Sequence, residues 1–294
     1  MAVKIPFYSH IEGLRAVAVM LVVLHHIGLL DNGFLGVDVF FVISGFIITS
    51  LLARELIESS RIDFQHFYVR RICRILPLAL FVIASSVIAS WILNGGLEAQ
   101  QSAEAGIWAT FFLANYYFYT EAIDYFRNPD PSVLQHYWSL AVEEQFYVVW
   151  PILLFLFFLA TGKKLQRKIT LFVFIPVLIS FALALIWNSS SSPTAYFNTL
   201  SRFWELGLGA LLALVISRSK TLPVNRHLTT PALLGLLVIS LIPLDGVNPI
   251  LLIAASVFLT LVLIQSSIAL QHAILSHPIL VRIGKRSYGW YLWH

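Results

Sequence analysis

Apolar residues fill this 294-residue chain in long runs separated by short polar breaks, and the spacing of those breaks predicts its elements. About 20 consecutive apolar residues are enough for a helix to cross the hydrocarbon core of a bilayer. Read against that length, the runs predict helices over residues 12–30, 34–53, 72–93, 138–160, 169–187, 200–217, 230–244 and 249–267, with another beginning near Ser287. The stretch "GIWATFFLANYYFYT", residues 106–120, is short for a span and suits a re-entrant or interfacial segment. The expected fold class is all-α: a polytopic transmembrane helical bundle of about eight complete spans plus the start of a ninth, forming one domain over residues 1–294. The final "SYGWYLWH" ends in an aromatic apolar run that has barely begun, which reads as a helix cut short at the C-terminus.

The distribution of Lys and Arg orients the bundle, because cytoplasmic loops carry the excess. With the N-terminus inside, the Arg54–Arg74 connection is cytoplasmic. If residues 106–120 do not cross, "GKKLQRK" (162–168), "RSKTLPVNRH" (218–227) and "VRIGKR" (281–286) fall inside as well; if they cross, all three flip outside. The rule favours a non-crossing segment and a cytoplasmic N-terminus.

Composition sharpens this picture. The chain is 59% hydrophobic and 12% charged, with a mean hydropathy of +0.82, which excludes an ordinary water-soluble domain. The net charge of +4 has no isolated basic tract with interleaved aromatics, so it reads as topology and no nucleic-acid partner is expected. The single cysteine, Cys73, gives neither a disulfide framework nor a cysteine metal motif. Arg15 and the His25-His26 pair interrupt the first apolar run and no small-residue cleavage site follows it, so the first helix is expected to be retained.

Candidate chemistry lies in the charged groups that these apolar helices carry at a cost. Arg15 and His26 are eleven residues apart, about three helical turns, and so share one face at roughly 16 Å separation. An imidazole there suits a proton acceptor, while His25, about 100° away, suits packing; both histidines also fit plain interhelical hydrogen bonding, with Arg15 snorkelling to headgroups. In "GFLGVDVFFVISGFIITSLL", Asp38 begins the second helix near the outer end of the first, where it can meet and orient His26 or act only as an interface group, and Gly33, Gly36 and Gly45 permit close backbone approach. In "FYVRRICRILP", Arg71 and Arg74 are three apart at a helix start, which suits a phosphate-bearing ligand or a lipid-headgroup anchor. "LQHYWSLAVEEQFYVVWP" puts His136, Glu143 and Glu144 at the outer end of a span, where at least one carboxylate must face a cavity or a cation; Arg202, with Glu205 one turn away, is a candidate cation. No HExxH, cysteine–histidine, GxSxG, Walker or GxGxxG pattern occurs, and adjacent His25 and His26 diverge on a helix, so no metal is expected.

Taken together and in order, these pieces resemble acyltransferase family three, the polytopic membrane O-acyltransferases. The resemblance runs through Arg15 and His26, "GFLGVDVFFVISGFIIT", Arg71 and Arg74, "YWSLAVEEQFYVVWP", "RFWELGLGALLA" and "SYGWYLWH", and is greatest to the branch that O-acetylates bacterial surface polysaccharides such as lipopolysaccharide O-antigen. It implies a ten-helix domain in the inner membrane that takes acetyl groups from cytoplasmic acetyl-CoA and modifies a carbohydrate outside. By similarity His26 is the catalytic base or acyl relay, Arg15 belongs to its motif, and Arg71 and Arg74 bind the CoA side. Asp38 is expected to assist His26, and Glu143, Glu144 and Arg202 to shape the outer sugar site. Some relatives carry an SGNH-type domain, and His294 matches the histidine of the terminal motif. The rival class is a transporter using the intramembrane His, Asp and Glu as a pathway; inverted repeats would favour it, and none is seen.

Overall fold

A computed structural model describes residues 8–123, 132–161, 165–189, 194–218, 226–244, 246–269 and 274–294. Among them every regular element is helical: α1 (Ser9–His26), α2 (Gly36–Ser59), α3 (Phe64–Leu93), α4 (Gly96–Thr110), α5 (Ala114–Ile123), α6 (Tyr137–Thr161), α7 (Leu165–Ser189), α8 (Thr194–Phe197), α9 (Thr199–Arg218), α10 (Thr229–Leu241), α11 (Pro249–Ala269), α12 (Pro278–Lys285) and α13 (Ser287–Trp293). Six stretches of the described residues are long and apolar enough to cross a membrane: 33–59, 64–93, 137–161, 169–189, 194–217 and 249–266. The expected all-α polytopic bundle is thus what the chain forms. Of the cationic loops read at 162–168 and 218–227, residues 162–164 and 219–225 lie outside the described residues.

The apolar pattern explains which helix is central. The most apolar window of α2 is 83% buried, against 28% for α3 and for α7. On α7 the exposed apolar residues Leu171, Ile175, Ile179 and Ile186 recur at helical spacing and form a lipid-facing stripe. α2 presents no such stripe because α1, α6, α9 and α11 surround it.

Close approach around α2 depends on glycine. A Cβ on Gly45 would stand 1.9 Å from the Leu206 carbonyl oxygen, and one on Gly209 would stand 2.1 Å from that of Val42. With no Cβ at either position, α2 and α9 pack backbone to backbone, the small-residue device of membrane helices. From the Asp38–Arg202 pair to the close approach at residues 42–45 and 206–209 the chain advances on both helices, so α2 and α9 run parallel.

Two sequence expectations change. The helix expected at 72–93 begins at Phe64, because Arg70, Arg71 and Arg74 hide its first turns from an apolar count; Asp63 caps it, accepting the His66 N–H at 3.0 Å. Arg71 and Arg74 therefore lie two to three turns inside α3, away from the free N–H groups of its start. The segment expected at 106–120 is two helices, α4 and α5, broken at Phe112, whose φ is 56°. Gln145 of α6 satisfies that break, donating to the Phe112 carbonyl at 2.8 Å and to Asn115 at 2.9 Å, as backbone leaving a helix at membrane depth requires. Tyr137 bonds Ala79 and Tyr68 bonds Val148, so α6 runs antiparallel to α3. The connection between them starts and ends on the same side of the bundle.

Gly45→Ala is expected to destabilise the protein by about 1–3 kcal/mol through overpacking. Gly235→Ala, whose added carbon would make ordinary 3.5 Å contacts with Leu259, should leave stability unchanged or slightly raised. Melting temperatures of the two variants in one detergent check the difference.

Candidate active site

α1 links two clusters of polar groups. At the Arg15 level, a cavity runs along α2, where Val37, Phe40, Ser44 and Ile47 line it at helical spacing. Ten residues of helix correspond to about 15 Å of length, and the empty volume, counted out to the mouth, is about 790 Å³. Arg15, Arg71 and Arg74 line it together with Glu143, Glu144 and Tyr147. These side chains come from α1, α3 and α6.

The cavity wall is a connected hydrogen-bonded array. Ser44 and Tyr147 both donate their hydroxyls to one oxygen of Glu143. The Arg71 guanidinium lies 4.2 Å from the centre of the Tyr147 ring, a cation–π contact that stiffens a long side chain. Arg15 is 3.8 Å from Glu12, one turn earlier on α1. The Glu144 side chain is treated differently: the residue is 8% exposed and its Oε1 accepts no hydrogen bond.

At the other end of α1 three imidazoles meet. The His26 ring is 4.5 Å from that of His294, centre to centre, and the His294 ring is 5.0 Å from that of His136. Each ring is tied to a carbonyl: His26 Nδ1 to Val22 at 2.9 Å, His136 Nε2 to Leu292 at 3.1 Å, and His294 Nδ1 to Tyr291 at 2.5 Å. A carbonyl can only accept, so each of these nitrogens carries a proton and the other keeps its lone pair. His26 stands exposed. His294 Nε2 is buried and has no partner. No group of three or more His, Cys, Asp or Glu among the described residues is arranged to hold a metal ion.

Tyr291 joins the two clusters. It lines the cavity, packs 6.0 Å from Phe40, and touches the His294 ring at 5.0 Å and the His136 ring at 6.0 Å. Its hydroxyl is fixed by Ser139 at 2.5 Å. The arginine-lined cavity therefore ends against the imidazole cluster.

The sequence-predicted residues divide between these places and a third. Arg15, Arg71 and Arg74 converge on the cavity. Glu143 and Glu144 do not form an outer site with Arg202; they share the cavity with the three arginines. Asp38 does not meet His26. Gly33 and Gly36 turn one face of α2 to α1, against the carbonyls of Leu21 and Ala18, and Asp38, two residues further on, points to α9. There Arg202 donates to Asp38 at 3.1 Å and to Glu205 at 2.8 Å, all three side chains at most 3% exposed. Trp138 and Tyr196 flank the guanidinium at 5.3 and 5.2 Å. His25 bonds the Leu30 carbonyl at 2.7 Å and packs on Phe34. Sequence reasoning missed Ser44, Tyr147 and Tyr291. Tyr147, one turn from Glu143, and Tyr291, one turn from His294, were visible as local pairs.

The fold and these two clusters define a polytopic helical membrane protein with a mixed-charge cavity and, across Tyr291, a cluster of three imidazoles. The chain belongs to the acyltransferase domain family, which matches residues 8–294. It is 32% identical over 97% of its length to the putative peptidoglycan O-acetyltransferase YrhL of Bacillus subtilis, covering 47% of that protein. The O-acetyltransferase OatA of Staphylococcus aureus is also 32% identical, with 97% of the chain and 49% of OatA covered. A putative O-acetyltransferase of Staphylococcus aureus, SACOL0978, gives 32% identity over 99% of the chain and 50% of its own length. The chain thus spans about half the length of the curated relatives it matches. No solved structure gives a significant match.

Arg202→Met is expected to cost about 3–5 kcal/mol, because it leaves Asp38 and Glu205 as buried carboxylates without their cation. Arg54→Ala, at the exposed Arg54–Glu58 pair, should cost less than about 1 kcal/mol. Unfolding in detergent, followed by circular dichroism, measures both.

Proposed function

We propose that this chain is the membrane-embedded transferase of a surface-polysaccharide O-acetylation system, moving acetyl from acetyl-CoA to a hydroxyl of an extracytoplasmic glycan. The observation that carries this reading is the neighbourhood of two clusters: a cavity lined by arginines from α1 and α3, and, behind its lining residue Tyr291, the ring contacts to His136 and to His294, which stands against His26. The family and the relatives' names support the reaction class.

The donor's phosphates dock on Arg71 and Arg74 with Arg15 beside them, where guanidinium forks match phosphate oxygens. Its acyl-bearing arm lies along the Val37–Ile47 face of α2 and brings the thioester towards Tyr291. His26, held in one tautomer by the Val22 carbonyl, takes the acceptor hydroxyl's proton at Nε2. The oxygen–carbon bond forms, the carbon–sulfur bond breaks, and the proton leaves with the CoA thiolate. Asp38 has no place in this step. It holds Arg202, and through it α9, against α2.

The cation excess of the polar loops fits a cytoplasmic N-terminus in the plasma membrane, with the imidazole end of α1 outward. Lipid surrounds the bundle, and an SGNH-type domain, appended or separate, is the partner we propose on the glycan side. The acceptor is a hydroxyl-bearing surface glycan. Lipopolysaccharide O-antigen is the narrower reading from the motifs, and peptidoglycan is the glycan in the name of the Bacillus subtilis relative.

Membranes containing the protein, given labelled acetyl-CoA and cell-envelope glycan, test the reading. Wild type should deposit base-labile acetate on the glycan, and His26→Ala should lower the rate by about a hundredfold or more. Equal incorporation by both would remove His26 from the chemistry. Assays with isolated lipopolysaccharide and isolated peptidoglycan identify the acceptor.

A further inference from the structure

The cavity has the wrong lining for a simple anion site. Three guanidiniums would suffice for phosphates, yet Glu143 and Glu144 enter the same space from α6 and would repel a bare phosphate. Glu143 is occupied by the Ser44 and Tyr147 hydroxyls, which explains its presence structurally. Glu144 has no such explanation: it is more than nine-tenths buried, it lines the cavity, and its Oε1 is buried with no hydrogen-bond partner. Neither Arg71 nor Arg74 forms an ion pair with it among the described residues. A buried acceptor left open is destabilising in the empty protein. A bound molecule that supplies the donor removes that cost.

The positions of the charges specify that molecule. The arginines from α3 and α1 and the carboxylates from α6 give the cavity both signs, so its ligand carries anionic groups at one part and neutral N–H or O–H donors at another. A coenzyme A thioester has this division, with phosphates on the nucleotide and two amide N–H groups along the pantetheine arm. Resting on the acetyl-CoA reading above, we propose that Glu144 is a donor-binding residue that accepts a hydrogen bond from an amide N–H of the pantetheine arm. It thereby selects a pantetheine-bearing donor over other phosphorylated molecules that the arginines would admit.

The test compares binding of CoA and of 3′,5′-ADP, which keeps adenosine and phosphate but lacks the arm, to the detergent-solubilised full chain. Glu144→Met removes the acceptor while keeping a similar apolar volume. It should weaken CoA binding about tenfold or more, the range for a lost buried hydrogen bond, and should not weaken 3′,5′-ADP binding. Arg71→Ala should weaken both ligands. The melting temperature of ligand-free Glu144→Met should equal or exceed that of wild type, since an unsatisfied buried acceptor has been removed. That result separates a binding role from a structural one. Unchanged CoA affinity in Glu144→Met overturns the proposal, as does an equal loss for both ligands. A cavity that binds CoA but fails to bind 3′,5′-ADP contradicts the division of its lining. If Glu144→Met unfolds, Glu144→Gln carries the same comparison: it keeps one neutral acceptor and should lose less CoA affinity than Arg71→Ala, and an equal or greater loss overturns the proposal. A wild type that binds neither ligand overturns the acetyl-CoA reading itself, and with it this inference.

Discussion

The buried guanidinium of Arg202 is the constraint on which the rest of the bundle depends. It lies between Asp38 of α2 and Glu205 of its own helix, with Trp138 and Tyr196 over its faces. In a hydrocarbon setting any one of these charges alone would be expelled or neutralised, so the three enforce a single register of α9 against α2. Two turns further on, Gly45 and Gly209 let the same two helices touch through their backbones. The ion cluster specifies the register and the glycines make it sterically possible.

With α2 fixed, its remaining faces acquire distinct duties. One face receives α1 through Gly33 and Gly36, and another, carrying Val37, Phe40, Ser44 and Ile47, forms the cavity wall. α1 then spans from the cavity to the imidazoles, which resolves why an apolar helix keeps Arg15 and His26 three turns apart. Arg15 lines the cavity and His26 stands in the imidazole cluster. Tyr291, fixed by Ser139, is the residue through which those ends communicate.

Much of this was legible in the sequence. Apolar runs of membrane-spanning length gave the all-helical bundle, and the cost of charge in lipid singled out Arg15, His26, Asp38, Arg71, Arg74, Glu143, Glu144 and Arg202, all of which lie in polar clusters. What periodicity cannot supply is pairing across long sequence separations. Asp38 was expected beside His26 because a short turn connects their helices, but proximity along the chain does not set the direction of a side chain, and Asp38 faces α9. Glu143 and Glu144 were expected near Arg202 on depth alone, whereas they face the arginines of α1 and α3. The start of α3 was hidden because its first turns carry arginines. The break at Phe112 depends on Gln145, a partner 33 residues away.

The central claim is that one passage joins the arginine-lined cavity to His26. The most direct measurement is an electron cryomicroscopy structure of the protein with a non-hydrolysable acetyl-CoA analogue bound. The account predicts phosphate density against Arg71 and Arg74, with the arm following α2 and the acyl end reaching Tyr291. Nucleotide density outside this cavity, for example in the hollow beside Tyr196 and Asn248, would contradict it.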